Sequence, residues 1–195
     1  MTQTAAGTGA RGSNWLARYY AVRAAFSILW VAAAFAVGTS TSPVASALLL
    51  LYPAWDGLAN YRDAQCNGGL GRNPSQAFNV LVSALVTVGI ALSLVFNAHG
   101  VLYVFGAWAL LAGLLQLATG VRRWRKVGAQ WPMILSGAQS ALAGVVMTKA
   151  ALVGTVAGPR SVALYAAFGA FYFLVSALWL AVTDARRSKA THVEA

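Results

Sequence analysis

VLYVFGAWALLAGLLQLATGVRRWRK, residues Val101 to Lys126, decides how the whole chain is read. From Val101 to Val121 there is no charged side chain. An apolar run of about 20 residues is the length that crosses a bilayer core as a helix. Arg122, Arg123, Trp124, Arg125 and Lys126 follow at once. A basic cluster at the end of an apolar run holds that end on the cytoplasmic side.

The rest of the chain has the same character. Of its 195 residues, 59% are hydrophobic and 9% are charged, against about 25% charged in soluble domains. A soluble fold of this composition would expose large apolar patches. The net charge is +10, from 14 Lys and Arg against 4 Asp and Glu. In a soluble protein that excess would suggest nucleic acid. Here the basic residues sit at the ends of apolar runs, which points to membrane topology and to no nucleic-acid partner. Cys66 is the only cysteine, so there is no internal disulfide and no cysteine-based metal cluster. Ala21 to Val37 resembles a signal sequence, following Arg18 and Arg23 and containing Ala34-Phe35-Ala36. Its length and the apolar run close behind it favour a retained span.

Working outward, residues 1–18 read as a disordered arm, small and aperiodic at first. Trp15, Tyr19 and Tyr20 beside Arg18 and Arg23 mark a headgroup-level boundary. Six spans are predicted over residues 19–185, at about 20–38, 43–60, 77–96, 101–121, 131–150 and 161–183. Pro43, Pro132 and Pro159 fall near helix starts, where a missing N–H costs little. The second span is interrupted by Pro53 and carries Asp56. Residues 186–195 form a basic tail.

Lys and Arg set the orientation. Arg11, Arg18 and Arg23, Arg62 and Arg72, the four of 122–126, and Arg186, Arg187 and Lys189 place twelve on one side. Lys149 and Arg160 are the two on the other. The positive-inside rule then puts both termini in the cytoplasm. The outer turns, 39–42 and 97–100, are short. The inner connections, 61–76 and 122–130, are longer. The chain thus reads as three helical hairpins, about 20–60, 77–121 and 131–183.

The hairpins read as repeats. Tyr52-Pro53-Ala54-Trp55, Phe105-Gly106-Ala107-Trp108 and Phe168-Gly169-Ala170-Phe171 each precede a leucine by three residues, at Leu58, Leu111 and Leu174. Ser27, Ser83 and Ser136 align the first helices loosely. Ser136, Ser140 and Gly144 are spaced by four, as are Ser83, Thr87 and Ala91. Such small-residue ladders let helix backbones approach closely, within the monomer or in a homo-oligomer.

Residues 104–147, with Ala112-Gly113-Leu114-Leu115-Gln116-Leu117, the basic loop, Trp131 and Leu135-Ser136-Gly137, resemble the HdeD-like family of small bacterial inner-membrane proteins. The resemblance extends over about 20–185. It implies a six-span all-α membrane protein of the bacterial inner membrane and a link to acid or envelope stress. Asp56-Gly57 and the Cys66-Asn67-Gly68-Gly69 loop depart from the family's pattern.

Few residues offer chemistry. A carboxylate inside a span costs roughly 2.5–3.5 kcal/mol on insertion scales, so Asp56 is expected to face the bundle, within reach of Arg23. Gln116 and Gln139, with Asn60 and Thr87, could line a polar path with Asp56 or serve as helix-to-helix glue. Arg122, Arg123, Arg125 and Lys126 suit anionic lipid headgroups at the cytoplasmic face as well as topology. Gly68-Gly69-Leu70-Gly71 lacks the ending of a phosphate loop. His99, on the outer side, is a candidate for sensing external acidification. Cys66 and His99 fall on opposite sides, and no metal-ligand spacing appears. The expectation is a non-enzyme without cofactor. The alternative is a small transporter or channel subunit with a path lined by Asp56, Gln116 and Gln139.

Overall fold

Apolar periodicity and the proline positions give six long α-helices. Among the described residues they are α1 (Gln3–Val37), α2 (Pro43–Cys66), α3 (Pro74–Phe96), α4 (Gly100–Arg123), α5 (Trp131–Leu152) and α6 (Pro159–Val193), with a 3-10 turn at Leu70–Arg72. The structure, a computed structural model, describes the backbone of residues 3–39, 41–97, 99–123 and 131–193. It describes the side chains of 15–39, 41–97, 99–118, 121 and 134–186. Four helical segments are long and apolar enough to cross a membrane, at Trp15–Val37, Pro74–Phe96, Gly100–Ala118 and Pro159–Arg186.

The helix ends follow local chemistry. Ser42 caps α2 by accepting the Ala45 N–H at 3.3 Å, and Pro43 occupies the first turn, where its missing N–H was an orphan anyway. Beyond α2, Gly68 and Gly69 take positive φ (95° and 88°), a conformation that side chains with a Cβ resist. Pro74 opens α3.

Two expectations change, and the basic tail gains a structure that the sequence reading did not assign. α2 is not interrupted: it runs through Pro53, which is buried, to Cys66, because tertiary packing outweighs the lost N–H bond. The arm of residues 1–18 is helical from Gln3; Ala5, Ala6 and Ala10 are strong helix formers and extend a span already nucleated. The tail after residue 185 likewise continues α6 to Val193.

The chain divides into two compact units, Met1–Trp30 with Ala166–Ala195, and Val31–Tyr165. In the smaller unit α1 meets α6. The Tyr20 and Phe173 rings stack with centroids 6.1 Å apart. The Arg23 guanidinium lies 4.2 Å from the Phe173 ring centre and donates to the Tyr19 hydroxyl at 2.8 Å.

In the larger unit the most extensive packing is α4 on α5, then α2 on α3, with a lesser contact of α3 on α4. The tight pairs therefore run across the longer connections. The predicted 77–121 hairpin corresponds to the lesser contact. The C-terminal end of α1 and the N-terminal end of α6 meet here too, through Arg160 N–H donating to Gly38 O at 3.2 Å.

The α4–α5 contact is backbone against backbone. A Cβ on Gly144 would stand 2.6 Å from Gly106 O and 2.5 Å from Leu110 N, and one on Gly137 would stand 2.8 Å from Gly113 O. Gly113 in turn abuts Gly137 O and Ala141 N. Gly106 thus faces Gly144 and Gly113 faces Gly137, an antiparallel register two turns long. Ser140, between the two contacts, donates to Ala109 O at 2.8 Å. Apolar side chains gain little from leaving lipid for another helix, so close backbone contact of this kind carries the association.

Val at Gly113 or Gly144 is expected to separate the pair and cost about 3 kcal/mol or more. Gly71→Ala, where nothing lies within 4 Å, should stay within about 0.5 kcal/mol of wild type. Thermal unfolding of the purified protein in mild detergent measures both.

Candidate functional site

The polar centre of the larger unit forms where α2 meets α3. Gly57 lets the helices approach: a Cβ there would lie 3.2 Å from that of Ser83. The next residue back is Asp56. Its carboxylate accepts the Ser83 hydroxyl at 2.8 Å and the Asn60 amide at 3.2 Å. Asn60 also donates to the Asp56 carbonyl at 2.8 Å. Ser83 is 1% exposed and Asn60 9%. Asp56 thus meets protein donors on the inside of the α2–α3 pair, in line with the inward orientation its insertion cost demands. Thr87, one turn along α3, returns its hydroxyl to Ser83 O at 2.7 Å.

The other predicted polar residues do not join this group in the hydrogen bonds described. Gln116 is exposed and accepts from Ser136 at 3.5 Å. Gln139 is half-buried on α5. Arg23 lies in the smaller unit with Tyr19 and Phe173. Of the basic cluster, Arg122 and Arg123 close α4, their side chains outside the described residues, and Arg125 and Lys126 lie wholly outside them.

Sequence reasoning missed two features. One is Ser83 as the carboxylate's partner, although its place in the Ser83/Thr87 ladder put it on a packed face. The other is an aromatic corner. Trp108 meets Tyr52 with centroids 6.3 Å apart at 65°, Tyr165 at 6.2 Å and 68°, and Phe105 at 6.1 Å and 41°. Tyr52, Phe105 and Trp108 all come from the repeated aromatic phrase, which was the available signal. The Tyr165 hydroxyl is hydrogen-bonded to Ser140 and lies within electrostatic reach of Asp56.

At the C-terminal end of α2, the 61–76 connection is bound together by amides. Asn73 donates to both Asn67 O and Gly69 O at 2.8 Å, and Gln76 donates to the Asp63 carboxylate at 2.9 Å. Cys66 is exposed beside it.

Residues 80–149 match a family described as a short repeat of unknown function (DUF308). This stretch covers most of α3, all of α4 and most of α5, including the Gly106–Gly144 and Gly113–Gly137 contacts. No curated protein and no solved structure matches the chain. The four apolar helices and this match mark a multi-pass membrane protein.

Ser83→Ala is expected to destabilise the protein by about 1–2 kcal/mol, since it removes a donor to a carboxylate. Thr87→Ala, which loses only a bond to its own helix, should cost less than half as much. Chemical denaturation of both variants in micelles makes the comparison.

Proposed function

We propose that the protein is a six-span inner-membrane protein of the HdeD-like type, with both termini cytoplasmic. It acts without enzymatic chemistry, in tolerance of acid or envelope stress. The match over residues 80–149 carries the reading, because those residues build the backbone-packed α4–α5 pair and reach back through most of α3. The charge count supports the orientation, with twelve Lys and Arg assigned inside and two outside. α3, of 23 residues, separates Cys66 from His99 by about 35 Å, which speaks against a shared catalytic set.

Cys66 makes the topology measurable with the natural sequence. A membrane-impermeant maleimide should leave intact cells unlabelled and label Cys66 after permeabilisation; labelling of intact cells would reverse the orientation. For the function, a deletion strain should survive acid challenge at high cell density at least about tenfold less well than its parent. Survival equal to the parent would refute the stress role.

A further inference from the structure

We infer that Asn67-Gly68, in the connection between α2 and α3, is a site of spontaneous deamidation, and that the hydrogen bonds of this connection guard it. The chemistry needs only the chain and water. The Gly68 nitrogen attacks Asn67 Cγ, a C–N bond forms, and the side-chain nitrogen leaves as ammonia. Water then opens the five-membered imide at either carbonyl, leaving aspartate or isoaspartate. Glycine in second place matters because no Cβ shields the attacking nitrogen, and holding both groups in one chain makes the step intramolecular. Asn67 and Gly68 are both exposed, so water reaches the amide. The N–H groups on either side, of Asn67 and Gly69, both donate to Ala64 O, at 3.0 and 2.8 Å. The Gly68 N–H between them has no acceptor among the described residues, so no hydrogen bond ties up the nitrogen that must attack.

What restrains the reaction is the conformation. At an Asn67 ψ of 26°, Gly68 N is turned away from the Asn67 side chain, and ring closure needs rotation about the Cα–C bond. The side chain is tied as well. Its amide donates to Asp63 O at 2.8 Å and to the Asp63 carboxylate at 2.9 Å. Gln76 donates to the other oxygen of that carboxylate at 2.9 Å, and Asn73 donates to Asn67 O at 2.8 Å. Rotation breaks this set, so the reaction proceeds from the locally opened connection. The product cannot restore the set. A carboxylate only accepts, and at position 67 it would face the Asp63 carbonyl and carboxylate, both acceptors. Isoaspartate also lengthens the main chain by one carbon. An opening that ends in reaction is therefore permanent, and the α2–α3 pair loses its tie at this end.

The test ages the full-length protein at mildly alkaline pH and reads each asparagine by peptide mass spectrometry. The first arm needs no variant and compares protein folded in mild detergent with protein unfolded in guanidinium. In the unfolded chain Asn67 should react at least about tenfold faster than Asn79 and Asn97, whose successors carry a Cβ, and Asn73 should stay intact, because Pro74 offers no N–H. In the folded protein Asn67 should react at least about tenfold more slowly than in the unfolded chain. The second arm uses folded variants. Asp63→Ala should speed the reaction about tenfold, while Asp63→Asn, which keeps an acceptor for the Asn67 amide, should stay close to wild type. In Asn67→Asp, trypsin should cut after Arg72 at least about tenfold faster than in the wild type. Asn67 reacting no faster than Asn97 in the unfolded chain overturns the site. Equal folded and unfolded rates, or Asp63→Ala at the wild-type rate, overturn the guard. Cleavage of Asn67→Asp at the wild-type rate overturns the permanent opening. The site goes beyond the stress role, and the two fail separately: a deletion strain without a phenotype leaves the deamidation result standing.

Discussion

The fold depends on the approach of two backbones. Where α4 and α5 cross, Gly106 lies against Gly144 and Gly113 against Gly137, with no room for a Cβ at any of the four. In water, a helix pair can be held by withdrawing leucines from solvent. In lipid, that gain is absent, and dispersion contacts at short range with hydrogen bonds across the interface must replace it. Two glycine contacts one register apart do this, and Ser140 adds a hydrogen bond to Ala109 O between them. The large side chains are left to the outside. Leu111, Leu114, Leu115, Leu135, Leu142 and Val146 are all exposed, which in a bilayer means solvated by lipid.

The α2–α3 pair repeats this construction with different chemistry. Asp56 stands three residues beyond Pro53, and Ala109 three beyond Gly106, so the repeated phrase places them at equivalent positions. On the partner helices, Ser83 bonds to Asp56 and Ser140 bonds to Ala109 O. The structural counterpart of Ser83 is therefore Ser140, one turn beyond the Ser136 to which sequence alone aligns it. Both serines belong to ladders spaced by four, and a ladder looks the same when shifted by one rung. Only the facing helix distinguishes the rungs.

That ambiguity explains what could and could not be read from the chain. Helix positions were legible, because apolar runs, prolines at helix starts and short polar turns are local signals. The inward orientation of Asp56 was legible as well, from the cost of the alternative. The pairing of helices was not. Short outer turns suggested 77–121 as a unit, but a short loop only brings two helix ends together. Along their length, the choice of neighbour depends on which faces are small enough for backbone contact. Gly106 and Gly113 on α4 match Gly137 and Gly144 on α5, while between α3 and α4 Gly89 meets Val104 side-chain atoms at 3.3 Å and Gly100 meets the Ser93 hydroxyl at 2.7 Å, side chains rather than facing backbone. Nor was the gathering of Tyr52, Trp108 and Tyr165 legible, since it involves three helices.

The two pairs differ in the chemistry at their centres. The α4–α5 copy uses its central position for an alanine carbonyl, which α4 already supplies to its own ladder, and so incurs no charge cost. The α2–α3 copy puts a carboxylate there and pays for it locally. Gly57 admits the Ser83 side chain, and Asn60, at the place of Gly113, turns its amide back to the same carboxylate. Asn60 and Ser83 are the polar groups that serve Asp56. Packing alone would have favoured keeping the glycine and the alanine, because an unserved carboxylate at this depth costs several kcal/mol. The charge of Asp56 is therefore met locally, by the Ser83 hydroxyl and the Asn60 amide, at a contact that Gly57 keeps close.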